Sequence, residues 1–437
     1  MWCVHTVRAR ARQRLLRHAA AVISTIFASV AHADEGALAI SGFGTVGLTS
    51  QSGAGDWGFQ RNSSQPGARS SLAVSQDSRL GVQFNWNPSP SWDGAMQIVG
   101  AQRPAGTPLN ESIEWAYVGY RPLPNTRIRL GRTSPDIFLY ADSRNVGYAF
   151  AWARPPVDFY GFAPGTSVDG IDLEQRWTLL DANWRARLTA GSFTTSVTGT
   201  DGSRLPLRGR DIIALGLTRE DNAGLLLKAS YFRSRIRVEA GDDAQQLDQG
   251  LQQLAALPVP GLSDSIASLR ENLWTGGSIS YLALGAQYDT GAWSFVAEGS
   301  DLKVPRSPLG GRRGYLSAGY RLHDITYYAL ASRVKPDRPS AAAPELANSL
   351  APLLGTQGAA GAQQLVDYAA DSVAVYRFDQ STVGIGLRWD CTPTSALKLQ
   401  LDRYDVHANG AAGWRGGDTR PARGTIVSVL LDFVWGP

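Results

Sequence analysis

Cysteine, methionine and histidine are scarce, with two, two and five copies in 437 residues. Cys3 falls in an N-terminal segment read below as removed, so Cys391 has no partner and an intrachain disulfide is excluded from the mature chain. Cys391 reads as a strand-end packing residue. No Cys/His cluster offers a zinc ligand set, and no glycine loop ends in Lys-Ser/Thr to cradle phosphates. Gly44-Thr45-Val46-Gly47 reads as strand interior instead. Beyond the N-terminal segment only His323 and His407 remain. A Ser-His hydrolase would need one of them beside a serine, so an outer-membrane phospholipase or protease is a minor alternative to a chain that is no enzyme. No cofactor is expected and no metal-ligating residue is singled out, while Ca²⁺ binding among the loop carboxylates stays open. An uninterrupted apolar run of 18 or more residues is also missing, which excludes a spanning helix and leaves strands as the only way through a bilayer.

What is present begins with a targeting segment over residues 1–33. Arg8, Arg10, Arg12, Arg14 and Arg17 precede an apolar stretch from Ala19 to Val30, and Ala31-His32-Ala33 makes an A-x-A cleavage site. This segment holds five of the 42 basic residues and none of the 38 acidic ones, so 37 basic face 38 acidic residues afterwards, a net charge of −1. That balance excludes nucleic acid as a partner, which needs a basic face.

From Leu38 to Trp435 about sixteen segments alternate apolar and polar residues. Leu38, Ile40, Val46 and Leu48 oppose Ser41, Thr45 and Thr49, a period of two. Seven tight turns reverse the chain, among them Asn87-Pro88-Ser89-Pro90, Pro122-Leu123-Pro124-Asn125, Leu180-Asp181, His323-Asp324 and Thr392-Pro393-Thr394-Ser395. Each is separated from the next by a longer connection. Short turns on one rim and long loops on the other mark an outer-membrane barrel with both termini on the short-turn side. A soluble secreted all-β fold has no reason for that alternation. The expected fold is therefore all-β, a sixteen-stranded antiparallel transmembrane barrel over residues 34–437, wide enough for an aqueous channel.

Aromatic residues recur at segment ends (Trp86, Trp92, Trp115, Tyr117, Trp184, Trp274, Tyr288, Trp293, Tyr315, Tyr320, Tyr327, Trp389 and Trp435), as a girdle at the lipid headgroups would require. Two external loops, 240–273 and 336–380, have helical spacing: Leu247, Leu251 and Leu254 in one, Leu346, Leu350, Leu353 and Leu354 in the other. Both read as external caps.

The opening Ile40–Ser50, the triplet Leu130-Gly131-Arg132 and the closing strand from Gly424 to Trp435 resemble the general Gram-negative porin family. That resemblance spans residues 34–437 and rests on architecture more than on sharp motifs. It implies an outer-membrane trimer that inserts through the barrel-insertion machinery, sits in outer-membrane lipid and lipopolysaccharide, and passes small hydrophilic solutes. Members end on an aromatic residue, whereas here Gly436 and Pro437 follow Trp435. The resemblance also makes the third external loop the pore constriction. Counting connections puts that loop at 134–168, with Asp136, Asp142, Asp158, Arg144 and Arg154 as its charged residues. Strand parity places Arg79, Arg103, Arg127, Arg129, Lys228, Arg388 and Lys398 on the pore wall, together with Gln97. An acidic loop facing a basic wall sets up a transverse field. The expected function is a passive diffusion channel for ions and small solutes. The alternatives are a channel specific for sugars or carboxylates, and a closed barrel acting as surface receptor or anchor.

Overall fold

The computed structural model describes residues 38–436 apart from 69, 165–166, 200–201, 240–241, 274–275, 306, 340–342, 375 and 419. The segment 1–33 and Trp274 of the expected girdle lie outside the described residues. Sixteen long strands follow one another: β1 (Leu38–Ser52), β2 (Arg79–Ser89), β3 (Trp92–Ala101), β4 (Ile113–Leu123), β5 (Thr126–Thr133), β6 (Val168–Leu179), β7 (Ala182–Thr198) and β8 (Arg204–Asp221), then β9 (Leu225–Val238), β10 (Gly276–Asp289), β11 (Trp293–Lys303), β12 (Gly311–Leu322), β13 (Ile325–Pro336), β14 (Phe378–Thr392), β15 (Ser395–Ala411) and β16 (Ala422–Trp435). Each pairs antiparallel with its sequence neighbours, and β1 pairs with both β2 and β16, so the sheet closes into a barrel. Closure leaves no open edge, the condition for strands in hydrocarbon, where unpaired backbone groups find no water.

The pleat sorts the side chains. On β1, Val46 and Leu48 face outward and are exposed, while Thr45 and Thr49 point inward and are buried. The same rule exposes Leu215 and Leu217 on β8, Leu282 and Leu284 on β10, and Val383 and Ile385 on β14. Closure of the barrel explains the glycines of the opening motif. A Cβ on Gly42 would stand 2.0 Å from the Trp435 ring, and one on Gly44 2.3 Å from Phe433. The two rings stack at 5.9 Å across the β1 backbone, packing the last strand against the first.

Seven short turns join the strands at the rim that carries the termini, and the longer connections sit at the opposite rim. Trp86, Trp92, Tyr288, Trp293, Tyr320, Tyr327 and Trp389 point outward near the short-turn rim, as a girdle does. Trp115, Tyr117 and Tyr315 do not belong to it. Trp115 stands opposite Gln97, Tyr117 takes Arg127 and Arg129 over its ring, and Tyr315 donates to Glu298, all inside the barrel.

Strand limits also differ from the sequence reading: Pro336 still belongs to β13 and β14 opens at Phe378, so the expected loop 336–380 is shorter at both ends. β3 ends at Ala101, so Arg103 lies in the connection 102–112 and not on the strand wall. β8 begins at Arg204, and a bulge between Arg210 and Ile213 breaks its alternation.

Among the described residues, four α-helices lie in the long connections: α1 (Val157–Tyr160), α2 (Asp242–Ala255), α3 (Leu262–Asn272) and α4 (Ala347–Ala374), the last kinked at Gly355. Leu247, Leu251, Ile266, Leu350 and Val366 form a core that α2, α3 and α4 share. Leu353 and Leu354 stay exposed, contrary to the stripe expected for them, because the kink at Gly355 ends the regular helical spacing there.

Candidate functional site

The connection between β5 and β6, residues 134–167, folds into the barrel; Val168, its expected last residue, already opens β6. Aromatic residues on this loop are why it goes inward. Phe138, Phe150, Trp152 and Phe159 are all buried against the wall. Phe138 meets Tyr281 at 5.7 Å, and Trp152 and Phe159 meet Tyr315 at 5.6 and 5.3 Å. Each fully buried side chain of this size favours the packed state by about 1.5–3 kcal/mol. The loop therefore lies along β8–β13 as a second layer of core.

Charged pairs seal its edges. Asp136 pairs with Lys228 and, at 3.3 Å, with Arg185. Asp142 accepts from Arg187 at 3.1 Å, and Arg187 also pairs with Asp172 at 2.8 Å. Arg154 reaches in the opposite sense, from loop to wall. It pairs with Asp77 at 2.7 Å and Asp402 at 3.1 Å, donates to Ser428, and lies 5.0 Å over the Phe59 ring. Asp158 carries no cation; Ser332 and Gln380 donate to it at 2.7 and 2.6 Å. Arg144 donates to the Pro164 carbonyl at 3.1 Å.

Several wall residues hold loop backbone. Lys398 donates to the Gly147 and Trp152 carbonyls at 2.7 and 2.8 Å and pairs with Asp432 at 2.8 Å. Arg388 donates to the carbonyls of Tyr148 and Phe150, and Arg79 to that of Asn145. Lys228 donates to the Phe138 carbonyl.

Asp136, Asp158 and Arg154 are thus buried in the seam between loop and wall, not presented to a water path. Asp142 keeps substantial exposure. Arg103 pairs with Glu114 at 3.5 Å from its connection.

Arg127 and Arg129 belong to a different part of the wall. Among the described residues, no hydrogen bond or ion pair joins loop residues 135–160 to β3, β4 or β5. There Arg127 and Arg121 pair with Asp93, and Arg129 with Asp172, while Gln97 donates to Gln83 at 2.7 Å. Near the end of the loop, Ser167 donates to the Glu114 carbonyl of β4 at 2.9 Å.

Sequence reading missed Asp77, Asp93, Arg121, Asp172, Arg185, Arg187, Asp402 and Asp432. The signal was available for most of them. Asp172 alternates with Ile171 and Leu173, and Arg185 and Arg187 flank Ala186 and Leu188, the parity rule already used for β5. Asp77 had none, since it precedes β2 in the connection 53–78.

Outside the loop, a cavity of about 1170 Å³ opens toward the helices of the outer rim. Ile137, Phe162, Phe232, Tyr281, Leu247 and Trp414 line it. Its floor is the inward loop and its roof the α2–α4 core.

Two loop carboxyls have shifted ionisation. For Asp77, burial works to raise the pKa, but Arg154 beside it outweighs burial and holds the group down at about 2. For Asp158, burial dominates over the hydrogen bonds from Ser332 and Gln380 and pushes it up from 3.8 to about 6. An acid whose folded pKa is raised binds more protons folded than unfolded between those values, so the stability it contributes falls as pH rises from 3.8 to about 6. Asp158→Asn keeps a neutral hydrogen-bonding group at that position. The variant is expected to gain on the wild type by up to about 3 kcal/mol across that window and to hold the gain above it. Urea unfolding at a series of pH values checks this; a difference independent of pH means that Asp158 does not titrate there.

A family model described as Gram-negative porin matches residues 19–411. No curated protein matches the chain. Among solved structures, the anion-selective porin of Comamonas acidovorans is 12% identical, with 91% of this chain and 99% of that one covered and a TM-score of 0.49. Salmonella typhi OmpF in complex with daunomycin is also 12% identical, with coverage of 91% and 97% and a TM-score of 0.47. OmpT of Vibrio cholerae is 10% identical, with coverage of 93% and 100% and a TM-score of 0.47. With a closed sixteen-stranded barrel and a family match over most of its length, this chain belongs to the Gram-negative porins, the channel proteins of the outer membrane.

Proposed function

We propose that small hydrophilic solutes cross between the inward loop and the wall formed by β3 to β6, with Arg185 of β7 at its edge, and that this path favours anions. One observation carries the reading. The side chains of Arg121, Arg127 and Arg185 are 34%, 21% and 30% exposed, whereas those of their partners Asp93 and Asp136 are 4% and 2% exposed. The carboxylates lie beneath and the cations face the solute. Transport is passive and without catalysis. His323 in a short-rim turn and His407 near the far end of β15 stand at opposite ends of the barrel, which supports that reading. Homotrimeric assembly is part of the proposal and rests on family membership.

Single-channel recording in a planar bilayer under a salt gradient tests it. Stepwise conductance with a reversal potential on the anion side supports the reading. A cation-side potential overturns the preference, and a folded but silent barrel favours the closed receptor or anchor. In the same assay Asp136→Ala combined with Asp142→Ala is expected to lower cation over anion permeability, by roughly threefold per charge removed, because Lys228, Arg185 and Arg187 then lose counter-charge. An unchanged reversal potential sinks that expectation.

A further inference from the structure

The outer surface of β8 and β9 breaks the apolar pattern abruptly. Ile213, Leu215, Tyr231 and Leu282 form the lipid-facing band, and the next outward positions toward the long-loop rim are Arg208, Arg210, Arg233, Arg235 and Arg237, all exposed. Arg208 stands directly opposite Arg237, and Arg210 directly opposite Arg235. Like charges so placed on one face of a sheet repel and weaken the pairing.

Protein groups relieve this only in part. Arg208 pairs with Glu239 at 2.7 Å and Arg235 with Asp211 at 3.3 Å. Among the described residues, the guanidinium groups of Arg210, Arg233 and Arg237 have no partner. The flanks are small and polar. Ser280, Ser278 and Gly276 of β10 face Arg233, Arg235 and Arg237 in register, and Thr194 of β7 faces Arg208. Alternate residues on a strand recur every 6.4–6.8 Å or so. A ligand here therefore meets a ladder of forked cations with room beside it, directly above hydrocarbon.

We propose that this patch is a docking site for a phosphorylated lipid headgroup of the outer leaflet, one carrying more than one phosphate, as the lipid portion of lipopolysaccharide does. Guanidinium binds phosphate oxygens in paired hydrogen bonds, and two or more phosphates span neighbouring rungs. The acyl chains then run down over Tyr231, Ile213 and Leu282. The site rests on the outer-membrane placement of the barrel, with the long-loop rim outward.

The test compares the refolded wild type with the triple variant Arg233→Gln, Arg235→Gln, Arg237→Gln; Arg403→Gln with Arg423→Gln, elsewhere on the same rim, is the control. Each protein is placed in phosphatidylcholine vesicles, in the same vesicles doped with bis-phosphorylated lipid A, and in plain vesicles with free pyrophosphate. Native mass spectrometry counts retained lipid, and heat-dependent gel mobility gives the unfolding midpoint. Near an anionic surface each arginine contributes about fivefold, so the triple variant is expected to retain lipid A roughly a hundredfold more weakly. It is also expected to be at least as heat-stable as wild type in plain phosphatidylcholine, since repulsion is relieved, and less stable than wild type once lipid A is present. That reversal of order is not expected from a merely structural defect.

Equal lipid retention by both proteins overturns the site. Protection by pyrophosphate equal to that by lipid A reassigns it to a soluble anion, and loss of oligomer in the variant reassigns it to a contact between copies. Conductance separates this proposal from the reading it rests on. A conducting variant that has lost lipid fails neither, whereas a silent wild-type barrel fails the channel itself.

Discussion

Replacing Arg154 with alanine is expected to destabilise the folded barrel by about 3–5 kcal/mol and to release the inward loop, seen as a lower denaturant midpoint and a noisy, enlarged current. The arginine is 1% exposed and serves three partners on different parts of the chain: Asp77 in the first long connection, Asp402 on β15 and Ser428 on β16. Alanine leaves two carboxylates buried near each other with no cation between them. That costs far more than one lost ion pair, because each acid must shed its charge or recover water.

Arg154→Lys is expected to rescue little, since a single ammonium cannot reproduce the forked contact to both oxygens of Asp77. Neutralising both acids as well, with Asp77→Asn and Asp402→Asn beside Arg154→Met, is expected to recover most of the loss. If Arg154→Ala unfolds at the wild-type midpoint with an unaltered current, the latch is not where the structure puts it. Acid should act on the same seam. With its pKa held at about 2, the ionised Asp77 contributes stability that is complete above 3.8 and fades as pH falls through about 2.

Converting Arg121, Arg127 and Arg185 to glutamine together is expected to reverse the ion preference of the channel. Each cation at about 7 Å from a passing ion in water contributes roughly 0.6 kcal/mol, close to a factor of three. Three removals therefore lower anion over cation permeability by roughly 25-fold. The sign changes because Asp93 loses both of its cations, Arg121 and Arg127, while Asp136 keeps only Lys228. Reversal potential under a salt gradient is the readout, and the salt dependence should steepen at low ionic strength, where screening is weak. A reversal potential that stays on the anion side would place the selecting charges elsewhere, with Arg103 and Arg144 the next pair to change.

Much of this architecture is written in the alternation of residues. Val46 and Leu48 against Thr45 and Thr49, or Leu215 and Leu217 against Gly216 and Thr218, fix which face meets lipid, because the pleat has a period of two whatever the partner strand. Turn chemistry at His323-Asp324 marks where the chain reverses, whereas the turn read at Asn87-Pro88-Ser89-Pro90 falls slightly later, since β2 runs on to Ser89 and β3 opens at Trp92. Parity likewise put Lys228, Arg388 and Lys398 inside the barrel, where all three hold loop backbone. It failed at Arg103, beyond the end of β3, and within β8, where a bulge interrupts the period.

Composition and pattern alone determined the barrel, its two unlike rims and its lipid face. Those properties depend on local periodicity and on neighbours in sequence. Only the tertiary structure decided which charges are spent on one another and which stay exposed. Arg154 finds Asp402 across 248 positions, and Asp158 finds Gln380 across 222. Ion pairing within a closed barrel is set by how the inward loop crosses the lumen, and that path depends on side-chain packing across strands far apart in the chain.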